Sequence, residues 1–126
     1  MSQAAASAAG SLAPVISEYL AASDRGDAEA VVRCFAEDAV VVDEGREWRG
    51  TAAIRRWRAT VATAYQYTAQ VTGAKALGEA DGAERHDVRI HLEGNFPGGQ
   101  ADLTNRFALR AGRIARLEIV PAEATR

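Results

Sequence analysis

Residues 84–110 read "ERHDVRIHLEGNFPGGQADLTNRFALR", and their alternation decides the fold. Successive side chains of a strand point to opposite faces. In the first half His86, Val88, Ile90 and Leu92 share one row, while Asp87, Arg89, His91 and Glu93 share the other. In the second half Ala101, Leu103, Asn105, Phe107 and Leu109 alternate with Asp102, Thr104, Arg106 and Ala108. Two such runs joined by the glycine-bearing "NFPGG" make an antiparallel pair with one dry and one wet face. "YQYTAQVTGAKAL" (65–77) and "RIARLEIV" (113–120) extend the pattern, linked through "GEADGA" and a tight turn at Ala111-Gly112. Four strands with short links predict an antiparallel meander.

Upstream the period changes to that of helices. Pro14 suits a first helical turn, and Val15, Ile16, Tyr19 and Leu20 form one apolar stripe. Gly26 is a natural stop, and Asp27 can cap a second short helix carrying Val31, Val32 and Phe35. Cys34, within "AVVRCFAED", falls on that helix and reads as a small buried hydrophobe. "AVVVD" (39–43) is a short β-branched run. Gly50 and Thr51 then open a third helix, with Ile54, Trp57 and Val61 at helical spacing. Helices first and strands after indicate an α+β domain, an antiparallel sheet covered by three N-terminal helices. Residues 1–12 read as a flexible lead and 13–122 as a single domain.

Composition narrows the functional classes. The chain has 126 residues, enough for one compact domain and too few for two. A net charge of −2, with basic residues scattered among acids, provides no electrostatic footprint for nucleic acid or an anionic membrane. In "IRRWRAT" the arginines Arg55, Arg56 and Arg58 read as a solvated flank beside a buried Trp57. No stretch is apolar and long enough to span a bilayer. The N-terminal segment lacks the basic and strongly apolar regions of a signal peptide, so a cytoplasmic location is expected. A single cysteine cannot form an intramolecular disulfide. Two histidines without further ligands at suggestive spacing do not make a metal site. "NFPGG" lies between strands and is not a phosphate loop, and no nucleophile elbow occurs. No metal or cofactor is expected.

Three polar residues interrupt rows that otherwise read as buried. Asn105 sits between Leu103 and Phe107, Asp43 follows Ala39 and Val41, and Tyr19 shares a stripe with Val15 and Ile16. A buried amide without partners costs about 1–3 kcal/mol. Around one apolar space, a carboxylate can accept a proton while a phenol and a carboxamide donate to an oxygen gaining negative charge. The alternatives are local: a core tyrosine with its hydroxyl at the surface, Asp43 paired with Arg46, Arg49 or a backbone amide in the following turn, and Asn105 bonded across the sheet. His86 continues the dry row of Val88 and Ile90 at the rim of that space.

"EYLAASDRGDAEAVVRCFAEDAVVVDEG" followed by "RGTAAIRRW" resembles the nuclear transport factor 2-like superfamily, over residues 14 to 120. Within it the run is most similar to ketosteroid isomerases and SnoaL-like polyketide cyclases. The resemblance implies a cone-shaped sheet enclosing a pocket. It implies that Tyr19 donates to a substrate oxygen, that Asp43 is the general base, and that Asn105 is a second oxyanion donor. The isomerases hold a protonated aspartic acid at this last position. They also carry a tyrosine where this chain has Arg58, and commonly a proline at Glu44. The implied substrate is an apolar carbonyl compound held by Trp57, Leu103, Phe107, Val88 and Ile90, with His86 at the rim. Isomerisation, aldol-type cyclisation, epoxide hydrolysis and non-catalytic ligand binding all remain open. Relatives with this fold often pair through the outer sheet face, which implies a homodimer.

Overall fold

The computed structural model describes residues 12–64 and 66–122. The expected N-terminal lead thus lies almost wholly outside the described residues, as does Tyr65. Helices α1 (Pro14–Asp24) and α2 (Ala28–Arg33) precede strands β1 (Phe35–Asp43) and β2 (Arg46–Arg49), and α3 (Thr51–Ala64) follows. Strands β3 (Tyr67–Ala80), β4 (Ala83–Gly94), β5 (Gln100–Arg110) and β6 (Arg113–Pro121) complete the chain. All six strands form one sheet in the order β2-β1-β6-β5-β4-β3. The sheet is curved and unclosed, and the architecture is α+β, as expected.

Local chemistry accounts for the helical part. Pro14 stands in the first turn of α1, where its missing N–H is not needed. The helix ends in a Schellman arrangement around Gly26, whose φ of 72° an L side chain rarely adopts. The Gly26 amide donates to Ser23 O at 3.1 Å and the Asp27 amide to Ala22 O at 3.0 Å. Asp27 then caps α2, its Oδ1 accepting from the Ala30 amide at 3.1 Å. One Gly-Asp pair therefore stops the first helix and starts the second.

Three details differ from the sequence reading. Helix α2 stops at Arg33, so Cys34 is its C-cap and Phe35 opens β1 instead of continuing the helix. Phe35 is 1% exposed and stacks edge-on against Tyr19, so tertiary packing outweighs its place in the helical pattern. Strand β2 was not expected, because four polar-flanked residues carry no period; it exists by pairing Arg46–Arg49 against β1. The sheet is mixed, since β1 runs parallel to β6, with Val41 beside Leu117. Helix α3 lies between β2 and β3 in the chain, after the Ala39–Asp43 run, where the sequence placed it.

Three of the sheet's turns use the same device. Glu44-Gly45, Asp81-Gly82 and Ala111-Gly112 all have positive φ at both residues, the backbone that a two-residue hairpin on twisted strands needs. The link between β4 and β5 is longer and is tied to the start of β3. Asn95 N donates to Gln66 O at 3.1 Å, and Gln66 N donates back to Asn95 Oδ1 at 2.9 Å. The core gathers Ile16, Val31, Phe35, Val41, Ile54, Val88, Phe107, Ile114 and Leu117 between the helices and one face of the sheet.

Candidate functional site

A cavity of about 720 Å³ lies between α1, α3 and the sheet. That volume is within the usual range for small-molecule sites, roughly 300–1,000 Å³. Its apolar wall includes Leu20, Val61, Val71, Ile90, Leu92 and Leu103, and Tyr19, Asp43, Asn105 and Arg58 open into the same space.

Strand register positions two of these polar groups. Asp43 on β1 stands beside Ile119 on β6, which stands opposite Asn105 on β5 and then Val88 on β4. Neighbouring strands are about 4.8 Å apart, so Asp43 and Asn105 flank Ile119 at a backbone separation of about 10 Å. The carboxylate at one end of this row is held in place. Trp57 Nε1 on α3 donates to Asp43 Oδ2 at 3.0 Å. The local pairings considered from sequence are not made: Arg46 lies over the Trp48 ring, 4.1 Å from its centroid, and Arg49 pairs with Glu47. Glu44, which follows Asp43 and also borders the cavity, is in the left-handed region at φ 54°.

Asn105 is 6% exposed, and among the described residues its Oδ1 finds no hydrogen-bond partner. The cross-sheet bond that would have made it structural is therefore absent from this side chain's acceptor. The oxygen and nitrogen of a carboxamide exchange places by a half-turn of the side chain. Asn105 can thus offer the cavity either an acceptor or an NH₂ donor.

Tyr19 projects from the buried stripe of α1 and is 3% exposed. Its ring is gripped edge-on by Phe35 at 5.7 Å and Phe107 at 5.8 Å. Burial pushes its pKa up to about 12; the Arg58 charge and the Ser23 hydroxyl pull the other way, while Tyr67 and Asp43 add to the rise. The Ser23 contact is too loose to count as a formed hydrogen bond, because among the described residues Ser23 Oγ is buried without a partner at regular geometry. The phenol therefore stays protonated at neutral pH and is available as a donor.

The remaining residues named from sequence fall in two groups. Trp57, Ile90 and Leu103 border the cavity together with Tyr19, Asp43 and Asn105. Phe107 and Val88 are buried in the core beside it, Phe107 as a support for the Tyr19 ring. His86 does not border the cavity; its Nε2 lies 3.3 Å from Glu84 Oε1. Among the described residues no three His, Cys, Asp or Glu side chains cluster as metal ligands.

Arg58 corrects the reading of "IRRWRAT". Arg55 and Arg56 are exposed, and Arg55 forms a bidentate pair with Glu29, Nε to Oε2 at 2.6 Å and an η-nitrogen to Oε1 at 3.0 Å. Arg58 is only 7% exposed and borders the cavity. The signal was present: Ile54, Trp57, Arg58 and Val61 follow the i, i+3, i+4, i+7 pattern of one helix face. Charge type masked position.

No described helix is long and apolar enough to cross a membrane. A profile of the SnoaL-like domain matches residues 16–117. A candidate polyketide cyclase from Sinorhizobium meliloti is 36% identical, with 89% of this chain and 98% of that chain aligned and a TM-score of 0.79. The orange carotenoid protein of Anabaena, solved with canthaxanthin, aligns with 90% of this chain and 36% of that chain at 18% identity and a TM-score of 0.78. A Catenulispora acidiphila protein of ketosteroid isomerase-like fold, in complex with trimethylamine, aligns at 17% identity, 86% and 85% coverage and a TM-score of 0.73. The last two likenesses concern the fold alone. Comparison with curated protein sequences finds no match.

Proposed function

Because the chain belongs to the SnoaL-like domain family of the nuclear transport factor 2-like superfamily, we propose that it is a small-molecule enzyme that abstracts a proton beside a carbonyl. The observation that carries this reading is the row of Asp43, Ile119 and Asn105 across the cavity, with the carboxylate oriented by Trp57. A substrate laid over Ile119 has its acidic C–H near Asp43. Its oxygen, as it gains charge, meets the Asn105 amide and the Tyr19 phenol. Both donors are neutral at pH 7, so neither must be desolvated as an ion to serve.

A positioned base contributes about 10²–10⁴-fold, and a preorganised oxyanion donor about 10²–10³-fold. The Trp57 bond fixes the carboxylate's direction and leaves its other oxygen for the substrate. Water is displaced from an apolar wall, which strengthens each electrostatic contact. The enolate so formed can be reprotonated elsewhere, which isomerises a double bond, or can attack a second carbonyl, which closes a ring. The 36% identity to a candidate polyketide cyclase favours ring closure. We further propose that the protein acts in the cytoplasm and pairs as a homodimer through the outer sheet face. That face carries Glu93, Arg106 and Arg110, so the interface would be polar and salt-sensitive.

Deuterium wash-in tests the shared step without the natural substrate. 2-Tetralone is incubated with the protein in D₂O, and exchange of its α-protons is followed by NMR. Wild type should accelerate exchange, and Asp43→Asn should lose about 10²–10⁴ of that acceleration. Equal exchange by the two proteins would remove Asp43 as the base. A second reading, a ligand receptor without chemistry, is supported by the carotenoid-bearing neighbour of the same fold. It predicts binding without exchange.

A further inference from the structure

Proton transfer leaves one residue of the cavity without a task. Arg58 is more than nine-tenths buried and borders the cavity, yet no carboxylate pairs with it among the described residues. Asp43 is engaged by Trp57, and Glu29 is taken by Arg55 on the outside of the same helix. The contacts Arg58 does have are the Trp57 ring, 5.1 Å from Cζ to the centroid, and the field it exerts on the Tyr19 phenol. Guanidinium cannot shed its proton in a protein, and its planar fork of N–H donors fits a pair of anionic oxygens. A buried charge of this kind without a counterion is costly unless something in its space supplies one.

The other charges around the cavity do not supply it. Asp24 and Glu44 border the space but are exposed, so water screens them. Asp43 lies in the row with Asn105 and is oriented by the indole instead of by Arg58. The counterion is therefore expected to arrive with the ligand. A neutral apolar guest would leave the guanidinium buried and unpaired, which discriminates against it.

We propose that Arg58 anchors a carboxylate of the ligand, so that this site takes an apolar ring compound bearing a carboxylic acid. The proposal rests on the reading of the cavity as a small-molecule site, and not on chemistry at Asp43. Repulsion from Asp43 turns the ligand's charged end toward Arg58 and leaves its ring system against the Val61–Ile90–Leu103 wall.

The test uses two probes that share a ring and differ in charge, 2-naphthoate and 2-naphthamide, each titrated by calorimetry into the full chain. Wild type should bind the acid tighter than the amide by about tenfold or more, the worth of one charge-assisted hydrogen bond. Arg58→Gln should erase that preference by weakening the acid alone, and Arg58→Lys should keep part of it. Far-ultraviolet dichroism verifies the fold of each variant, and the wild-type comparison stands even if a variant does not fold. The proposal is overturned if wild type shows no preference, if Arg58→Gln retains it, or if neither probe binds. Failure of the two readings is separable. A preference for the acid, with no wash-in even into a 2-tetralone that bears a carboxylate, sinks the enzyme and keeps the anchor. Wash-in without the preference does the reverse.

Discussion

Replacing Asn105 by leucine should make this protein more stable and less active. The argument begins with the orphaned Oδ1, buried and without a partner among the described residues. An unsatisfied buried acceptor costs about 1–3 kcal/mol. Leucine removes that cost and continues the row of Leu103 and Phe107 on β5. The side chain is larger, but Asn105 borders a cavity of about 720 Å³, so the added volume grows into open space. The overpacking penalty of about 1–3 kcal/mol for filled cores therefore does not apply. A net gain of about 1–2 kcal/mol is expected, equivalent to about 4–8 °C in Tm for a domain of this size. Equilibrium urea denaturation checks it: the midpoint should rise at unchanged slope, since the surface exposed on unfolding hardly changes. Exchange of 2-tetralone protons should meanwhile fall by about 10²–10³, the loss of one oxyanion donor. An Asn105→Leu protein that is destabilised would refute the reasoning, because Asn105 would then be a satisfied structural residue.

Further expectations concern other parts of the molecule. A Cβ at Gly94 would fall 2.6 Å from Tyr67 Cβ, where the reciprocal Gln66–Asn95 bonds hold the backbone; Gly94→Ala should cost about 1–3 kcal/mol in urea titration. His91 bonds Asp102 Oδ1 at 2.9 Å and Glu93 Oε2 at 3.1 Å, and these contacts, Asp102 first, raise its pKa. Its stabilising contribution is then complete below about pH 6.5 and fades as pH rises through the elevated folded value. An NMR titration should place His91 above the ordinary range, and Asp102→Asn should bring it back toward that range. For Tyr19, a folded pKa of about 12 means that stability falls as alkali first ionises the unfolded phenol, between roughly pH 10 and the folded value. Tyr19→Phe should flatten that part of the stability profile. The Cys34 thiol is 3% exposed, donates to Ala30 O at 3.4 Å, and is pushed up by burial. Its reaction with Ellman's reagent should therefore wait on unfolding, and fast labelling of the native protein would contradict the packing around α2.

Legibility followed the range of the interaction. Alternation in β4 and β5 identifies which side chains share a face, because a strand's period is a local property of the backbone. That rule singled out Asn105 as a polar residue in a dry row, and the structure buries it. The helix stop at Gly26 and the cap at Asp27 were equally legible, each depending on a few adjacent residues. Phe35 was misplaced because its helical spacing is real but weaker than the contact it makes with Tyr19 across the core.

The amino-acid sequence by itself determined the α+β class, the dry and wet rows of the sheet, and three polar residues out of place on apolar faces. Only the tertiary structure decided that β1 pairs in parallel with β6, which aligns Asp43, Ile119 and Asn105 in one row. It also decided that Trp57 orients the carboxylate and that Arg58 is enclosed without a carboxylate partner among the described residues. Local periodicity specifies the face on which a side chain lies. Which faces meet is settled by burial summed over the whole domain, between residues far apart in the chain.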